Sequence, residues 1–513
     1  MSEKRKYYLA FDIGTTNWKA AVFDENGVLV EQERTAARTY RDAQGYSCYD
    51  PEEVWRTACD LSRRVTGRMG QRIAGVSVTS MAEAVVPIDR DGNTVGEMIA
   101  WFDIRAMEQA RQMKEAIGEE RLYSITGLDV NPIFSLPKIL WVRKHCPEVY
   151  GKACKWLQMA DYILFRLTGE MVTDYTFASR TLAFDVAANC WSEEILNRMQ
   201  VPVGILPDIV ESGTVIGRIS SGMEELTGIT ADALVVVGGN DHPCASIAAG
   251  VIHGDKILDS SGTAESFIYI SAKGANPRME FRGQRTCRYL EKDRYALWGG
   301  IVSSGSTFNW AYDTFVSSEA FGVGQTPYTY EEILGQLVQV TGIESGLFFY
   351  PHLRGAGAPY WNPKITGSFM GIRDIHTSRH MLRAVLEGLS MQAKMIVDME
   401  EEIAGETVDA LCVVGGSSHN ILWQTIKASI LQRPVELCHE AEATALGAAM
   451  LAAIGDGVYG NISQASEKTS AGNKQIEPDE QLVKRYRGLY ELYREGYEQM
   501  ETFSERIYDE VRR

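Results

Sequence analysis

Residues 7–30 read YYLAFDIGTTNWKAAVFDENGVLV, and this stretch decides the fold. Tyr7–Asp12 and Ala20–Asp24 are short apolar runs, and Asn26-Gly27 precedes Val28-Leu29-Val30. Asn and Gly reach the positive φ of a tight hairpin, so three antiparallel strands are expected, with Gly14 serving a strand-to-strand turn. A dinucleotide-binding start is disfavoured, because there the first strand feeds a helix through its glycine-rich turn. The turn Asp12-Ile13-Gly14-Thr15-Thr16-Asn17-Trp18-Lys19 offers a carboxylate, a glycine that lets amides face outward, two hydroxyls and a cation. That set suits phosphate and Mg2+. Taken alone, it equally suits a plain hairpin turn with a capped Asp.

The pattern comes back further along the chain. Leu234–Gly239 reads as a buried strand, Ile257-Leu258-Asp259 as another, Ser260-Ser261-Gly262-Thr263 as a turn, and Ser266–Ile270 as the returning strand. Strand, Asp, Gly-Thr turn and strand thus recur about 248 positions after the first hairpin, which suggests two related halves, 1–250 and 251–513. Asp161–Thr168 closed by Gly169 reads as a helix, and Ser378 can cap a longer one ended by Gly405. Leu411–Val414, Gly415-Gly416-Ser417-Ser418 and a helix from near Asn420 form a strand-turn-helix unit. Glu442–Ile454 is an alanine-rich helix stopped by Gly455. The tail from Glu480 places Tyr486, Tyr490, Tyr493 and Tyr497 at helical spacing, as a packed surface helix does. Asp89–Asn93 lacks a full ligand ladder for calcium and reads as a turn.

Three further motifs carry chemistry. In Gly238-Gly239-Asn240-Asp241-His242-Pro243 a carboxylate follows two glycines at a strand end, where it can serve as the base for an acceptor hydroxyl. The competing readings are that Asp241 only caps the following helix, or that His242 is the base; Asp241 is preferred. Ser261-Gly262-Thr263 is a candidate second phosphate clamp. Gly415-Gly416 opens a helix whose N-terminus can lie under a nucleotide. There is no GxxxxGK[ST], no HExxH and no metal-spaced Cys/His cluster.

Composition narrows the partners. The 51 Lys and Arg against 68 Asp and Glu give a net charge of -17, which disfavours nucleic acid and anionic membrane. Nine scattered cysteines without a CxxC pair fit reduced thiols, and no export signal or membrane span is found, so a cytoplasmic location is expected. The sequence does not decide between a monomer and a homodimer.

Taken in order, FDIGTTNWK, AWFDIR at 100–105, VVVGGNDH, LDSSGTAE, GSTFNW at 305–310, GAPYWNP, RAVLEGL, VVGGSSHN and ATALGAAMLAA resemble the FGGY carbohydrate kinases, relatives of glycerol kinase, xylulokinase and L-fuculokinase, across nearly the whole chain. The resemblance implies an α/β, two-domain, actin-like or ribonuclease H-like ATPase fold with a mixed sheet in each domain. ATP, with Mg2+, and a small sugar or polyol would meet between the domains. It implies that Asp241 is the proton acceptor and that Asp12 organises the metal. Gly14, Thr15, Thr16, Asn17 and Lys19 fall at the first phosphate loop, and Gly262 and Thr263 at the second. Gly305, Asn309, Gly416 and Asn420 fall at nucleotide contacts. On the sugar side it points to Met81, Ala82 and Glu83, with Trp101 and Asp103 nearby. Ala82-Glu83 departs from the Arg-Glu pair expected for glycerol kinase and from the Met-His pair expected for xylulokinase. The block from Ser260 to Glu265 is closer to that of deoxyketose kinases. Two other classes compete: an actin- or chaperone-like ATPase switch, for which no residues are left to form a peptide-binding domain, and a catalytically silent sugar sensor, against which Asp12, Asp241 and Gly262-Thr263 argue.

Overall fold

The computed structural model describes residues 5–272, 284–316, 330–340 and 342–511. The opening runs form β1 (Tyr7–Ile13), β2 (Asn17–Asp24) and β3 (Leu29–Ala36), each antiparallel to the one before. β1 is buried on both faces, whereas β3 alternates along LVEQERTA, as an edge strand with one wet face does. Asp24 closes their hairpin: its Oδ1 accepts from the amides of Asn26 and Val28 at 2.9 and 3.0 Å, and Gly27 takes φ 80°. β4 (Gly75–Ser80), β5 (Val215–Arg218) and β6 (Leu234–Asn240) complete a sheet of order β5-β6-β4-β1-β2-β3. β4 runs parallel to β1, and β6 parallel to β4.

Helices cover this sheet. α1 (Pro51–Met69) starts at Asp50, whose side chain accepts from the amides of Glu52 and Glu53, and ends at left-handed Gly70. α2 (Met159–Thr168) ends at Gly169, also left-handed, as its sequence predicts. α3 (Asp241–Ala249) follows β6 directly.

The second sheet contains β7 (Lys256–Ser261), β8 (Glu265–Ser271), β9 (Arg285–Arg288), β10 (Tyr295–Ile301), β11 (Ala410–Val414), β12 (Val435–Leu437) and β13 (Lys474–Ile476), in the order β9-β10-β8-β7-β11-β12-β13. β7, β8 and β10 form an antiparallel meander, and β11 and β12 add on in parallel. This repeats β1, β2, β3 with β4 and β6. Two copies of one mixed-sheet α/β unit, as expected, make the actin-like, ribonuclease H-like fold.

The helices of the second half are α4 (Gly305–Phe315), α5 (Ser378–Ala404), α6 (Ile421–Leu431), α7 (Ala443–Gly455) and α8 (Glu480–Val511). Two boundaries differ from the sequence reading. Thr377, not Ser378, caps α5, because its side chain pairs reciprocally with His380 three residues on. Gly455 does not stop α7 but stays helical, where a Cβ would come within 2.8 Å of Val236. In α8, Tyr486, Tyr490, Tyr493 and Tyr497 are buried, with Tyr493 stacked on Tyr350 at 4.6 Å. Asp89–Asn93 is a turn closed by the Asp89 carboxylate.

One feature of packing reaches across the repeat. α7, from the second half of the chain, lies on β1, β4 and β6 of the first sheet and crosses α3. The crossing is so close that a Cβ on Gly447 would sit 1.8 Å from the carbonyl oxygen of Cys244. Alanines of both helices join Tyr8, Ala10 and Phe23 of the first sheet and Leu258 and Ile268 of the second in one apolar core.

Candidate active site

Strand register gathers the site. Asp12 pairs with Thr79, Ile13 with Ser80, and Ser80 with Asn240, so the carboxyl ends of β1, β4 and β6 lie in line. Asp12, Met81–Glu83 and Asp241 therefore emerge at one edge, where parallel α/β sheets bind ligands. In the second sheet Ser260 pairs with Val414 and Glu265 with Ile301, which brings turns 262–264, 302–305 and 415–420 to one edge.

The first turn closes on itself and leaves its two hydroxyl residues at the surface. Gly14 N donates to Asn17 O at 3.0 Å, Thr15 and Thr16 are exposed, and Thr15 Oγ1 accepts from Trp101 Nε1 at 2.9 Å. Lys19 Nζ lies 3.7 Å from Asp12 Oδ2 and 2.5 Å from Glu442 Oε2. Glu442 comes from the residue that precedes α7, more than 400 positions away in sequence. Asp12 is raised to about 7, chiefly by burial; Lys19 pulls it down, and the charges of Asp241 and Glu442 push it up. Two carboxylates, those of Asp12 and Glu442, thus flank the one Lys19 ammonium. That surplus of hard oxygen donors fits a divalent cation such as Mg2+.

Asp241 is the first residue of α3, whose cap position is Asn240, and its side chain is 27% exposed. Its Oδ1 accepts from the next amide, His242 N, at 2.9 Å. The His242 ring instead packs edge-on against Trp298 of β10 at 5.3 Å. Glu83 is buried with φ 65°, a left-handed conformation that its surroundings hold in place. Its Oε1 accepts from Arg180 Nε at 2.6 Å, and its amide donates to Gln158. The Arg180 guanidinium lies 4.8 Å from the Trp298 ring and 5.2 Å from that of Phe134. Lys138 is buried and donates to the carbonyls of Glu83, Ala100 and Trp101 at 2.9 to 3.0 Å, pinning the segments around Glu83 and Trp101 to each other. Burial lowers it to about 7, against the opposing pull of Glu83 and Asp103.

The other expected residues separate by place. Met81 and Ala82 are buried and join the apolar core of the first half. Asp103 is also buried: it accepts from Ser47 N at 2.7 Å and from Arg105 Nε at 2.8 Å. Burial alone would raise it, but these bonds outweigh that and hold it low. On the other edge, Gly305 N donates to Gly262 O at 3.1 Å, and Ser304 N to Thr263 O at 3.0 Å. A Cβ on Gly305 would come within 2.4 Å of Gly262 O. Asn309 is exposed on α4, Gly416 is exposed, and Asn420 caps α6 by accepting from Trp423 N at 3.0 Å. Arg180, Lys138, Trp298 and Glu442 were missed from sequence. Each is recruited by the tertiary fold, and none stands in a motif.

The Asp12 shift predicts a pH profile. If ionised Asp12 is needed, kcat/KM should fall about tenfold per pH unit below about 7 and level off above it. A profile flat from pH 5 to 8 would exclude that need. For stability the sign is opposite. The folded chain binds this proton more tightly than the unfolded one, so Asp12 becomes less favourable to folding as pH rises from about 4 to about 7.

The duplicated mixed-sheet unit, with glycine turns and carboxylates at the strand ends, is an actin-like fold. The chain belongs to the FGGY family of carbohydrate kinases: residues 7–248 match the family's N-terminal domain and residues 260–455 its C-terminal domain. It is 29% identical to a xylulose kinase of Bacillus subtilis (strain 168) over 96% of this chain and 97% of that one. It is 28% identical to a gluconokinase of the same organism, over 95% and 94%. Among solved structures, a gluconate kinase from Lactobacillus acidophilus superposes with a TM-score of 0.87 at 25% identity, covering 97% of this chain and 98% of that one.

Proposed function

We propose that the chain transfers the γ-phosphoryl group of ATP to a hydroxyl of a small sugar or polyol, with a ketose or deoxyketose favoured and Asp241 as general base. The observation that carries this reading is the convergence of Asp12, Asp241 and Lys19 at one sheet edge, with the Gly262-Thr263 turn on its structural counterpart in the second half. In this reading the half spanning 1–250 is the sugar side and 251–513 the nucleotide side. Asp241 accepts the hydroxyl proton as the oxygen attacks the γ-phosphorus in line, and ADP leaves. Lys19 and the turns at Gly14 and Gly262 would hold the phosphates, and Gly305, Asn309, Gly416 and Asn420 the rest of the nucleotide. Glu83, Trp101, Met81, Ala82 and Asp103 would shape the sugar side. Mg2+, when bound near Asp12, supplies charge screening to the phosphates. The preference for a deoxyketose rests on the block from Ser260 to Glu265. No helix among the described residues is long and apolar enough to cross a membrane, and we place the protein in the cytoplasm.

The test is ADP release from Mg-ATP across a panel of ketoses, deoxyketoses, aldoses, polyols and sugar acids. One strong responder over a low basal ATPase is expected. Equal ADP release with and without every sugar would favour an ATPase switch.

A further inference from the structure

Beneath the second-half turns lies a charged cluster that the mechanism above does not use. Lys427, on α6, is wholly buried. Its Nζ is 2.5 Å from Asp259 Oδ2 and 2.6 Å from Glu265 Oε1, and 5.2 Å from the centre of the Trp423 ring. The other Glu265 oxygen accepts from the Ser304 hydroxyl. Both carboxylates have side chains as buried as the lysine. Burial and the Glu265 charge push Asp259 well above the carboxylate range, and Lys427 opposes them.

The placement of these groups is specific. Asp259 lies near the end of β7, before the Gly262-Thr263 turn, and Glu265 opens β8 just after it. Ser304 precedes Gly305, and Lys427 projects from the helix that Asn420 caps. One ammonium therefore ties together the three segments that carry the turns at 262–264, 304–305 and 415–420. Those turns also touch directly: a Cβ on Gly305 would meet Gly262 O at 2.4 Å, and one on Gly415 would meet Ser261 O at 2.4 Å. No ligand can reach Lys427. A buried charge cluster is weak grounds for stability, since apolar groups of the same volume often serve as well or better. Its distinctive property here is that it fixes three backbone segments relative to one another.

We propose that Lys427, with Asp259, Glu265 and Ser304, is a positioning device that holds the three turns in register to receive the nucleotide. The proposal rests on the reading of these turns as the nucleotide side. It acts on nucleotide affinity and leaves the sugar side untouched.

The test is calorimetric titration with Mg-ADP, alongside melting temperature and KM for the responding sugar. Ser304→Ala removes one hydroxyl and should fold; its Kd for Mg-ADP is expected to rise at least threefold, with melting temperature and sugar KM unchanged. Lys427→Met, or Lys427→Met/Glu265→Gln if the single variant fails to fold, should raise Kd at least tenfold. Glu265→Gln keeps an acceptor for the lysine but loses the oxygen that takes the Ser304 hydroxyl, so it should raise Kd about as much as Ser304→Ala does. A Ser304→Ala protein with unchanged Kd, while Thr263→Val weakens Mg-ADP, overturns the positioning role and leaves the nucleotide reading standing. Unchanged Kd in Thr263→Val as well removes that reading, and the proposal with it.

Discussion

Asp241→Asn is expected to lower kcat by about 10²- to 10⁴-fold, the range that a positioned general base contributes. That is roughly 3 to 5.5 kcal/mol of barrier. The amide keeps the shape of the carboxylate and can still accept from His242 N, so α3 should start as before. ATP affinity should stay within about threefold, because in this reading Asp241 meets the hydroxyl and not the phosphates. Removing a negative charge that pushes Asp12 up should also move the acid limb of the pH profile below 7. Steady-state kinetics with the responding sugar read all three effects. Near-normal turnover in this variant would rule out Asp241 as the base and direct attention to His242, whose ring packs on Trp298.

Gly447→Ala is expected to cost about 3 kcal/mol or more, at the upper end for overpacked cores. The added carbon would lie 1.8 Å from a backbone carbonyl on the facing helix, so no side chain can rotate aside to make room. α3 and α7 have to separate, and α7 lies on three strands of the first sheet. Because Cys244 is only three residues beyond Asp241, the displacement also reaches Asp241, and if that residue is the base kcat should fall with stability. The denaturant midpoint gives the first effect, and turnover at low temperature gives the second. Gly488→Ala supplies the contrast. It sits on the exposed side of α8, where a Cβ meets nothing within 4 Å, and should stabilise by about 0.5–1 kcal/mol through helix propensity alone. A Gly447→Ala protein as stable as the parent would mean that the helices do not cross this closely.

The contrast between these glycines shows where local sequence is informative. The opening strands, the repeated Gly-Thr turn, the capped helices and the tyrosine-lined tail were legible because period, turn residues and caps act over a few positions. The carboxylates at the strand ends were legible for the same reason. Hidden from view was everything that depends on distant pairing. The clasp between Lys19 and Glu442, the anchoring of Glu83 by Arg180, and the Lys427 cluster each join residues about 100 to 400 positions apart. Nor could an alanine-rich run say which sheet it covers: α7 follows the second half in sequence and packs on the first. Asp103 illustrates the reverse case. Its carboxylate stood out in the sequence, but its commitment to Arg105 and Ser47 did not.

The most direct measurement is the product balance after incubation with the responding sugar and Mg-ATP, counting phosphorylated sugar, ADP and free phosphate by mass spectrometry and phosphorus NMR. The account predicts one sugar phosphate for each ADP, almost no free phosphate, and loss of both products in Asp241→Asn. ADP matched by free phosphate, with the sugar unmodified, would contradict it.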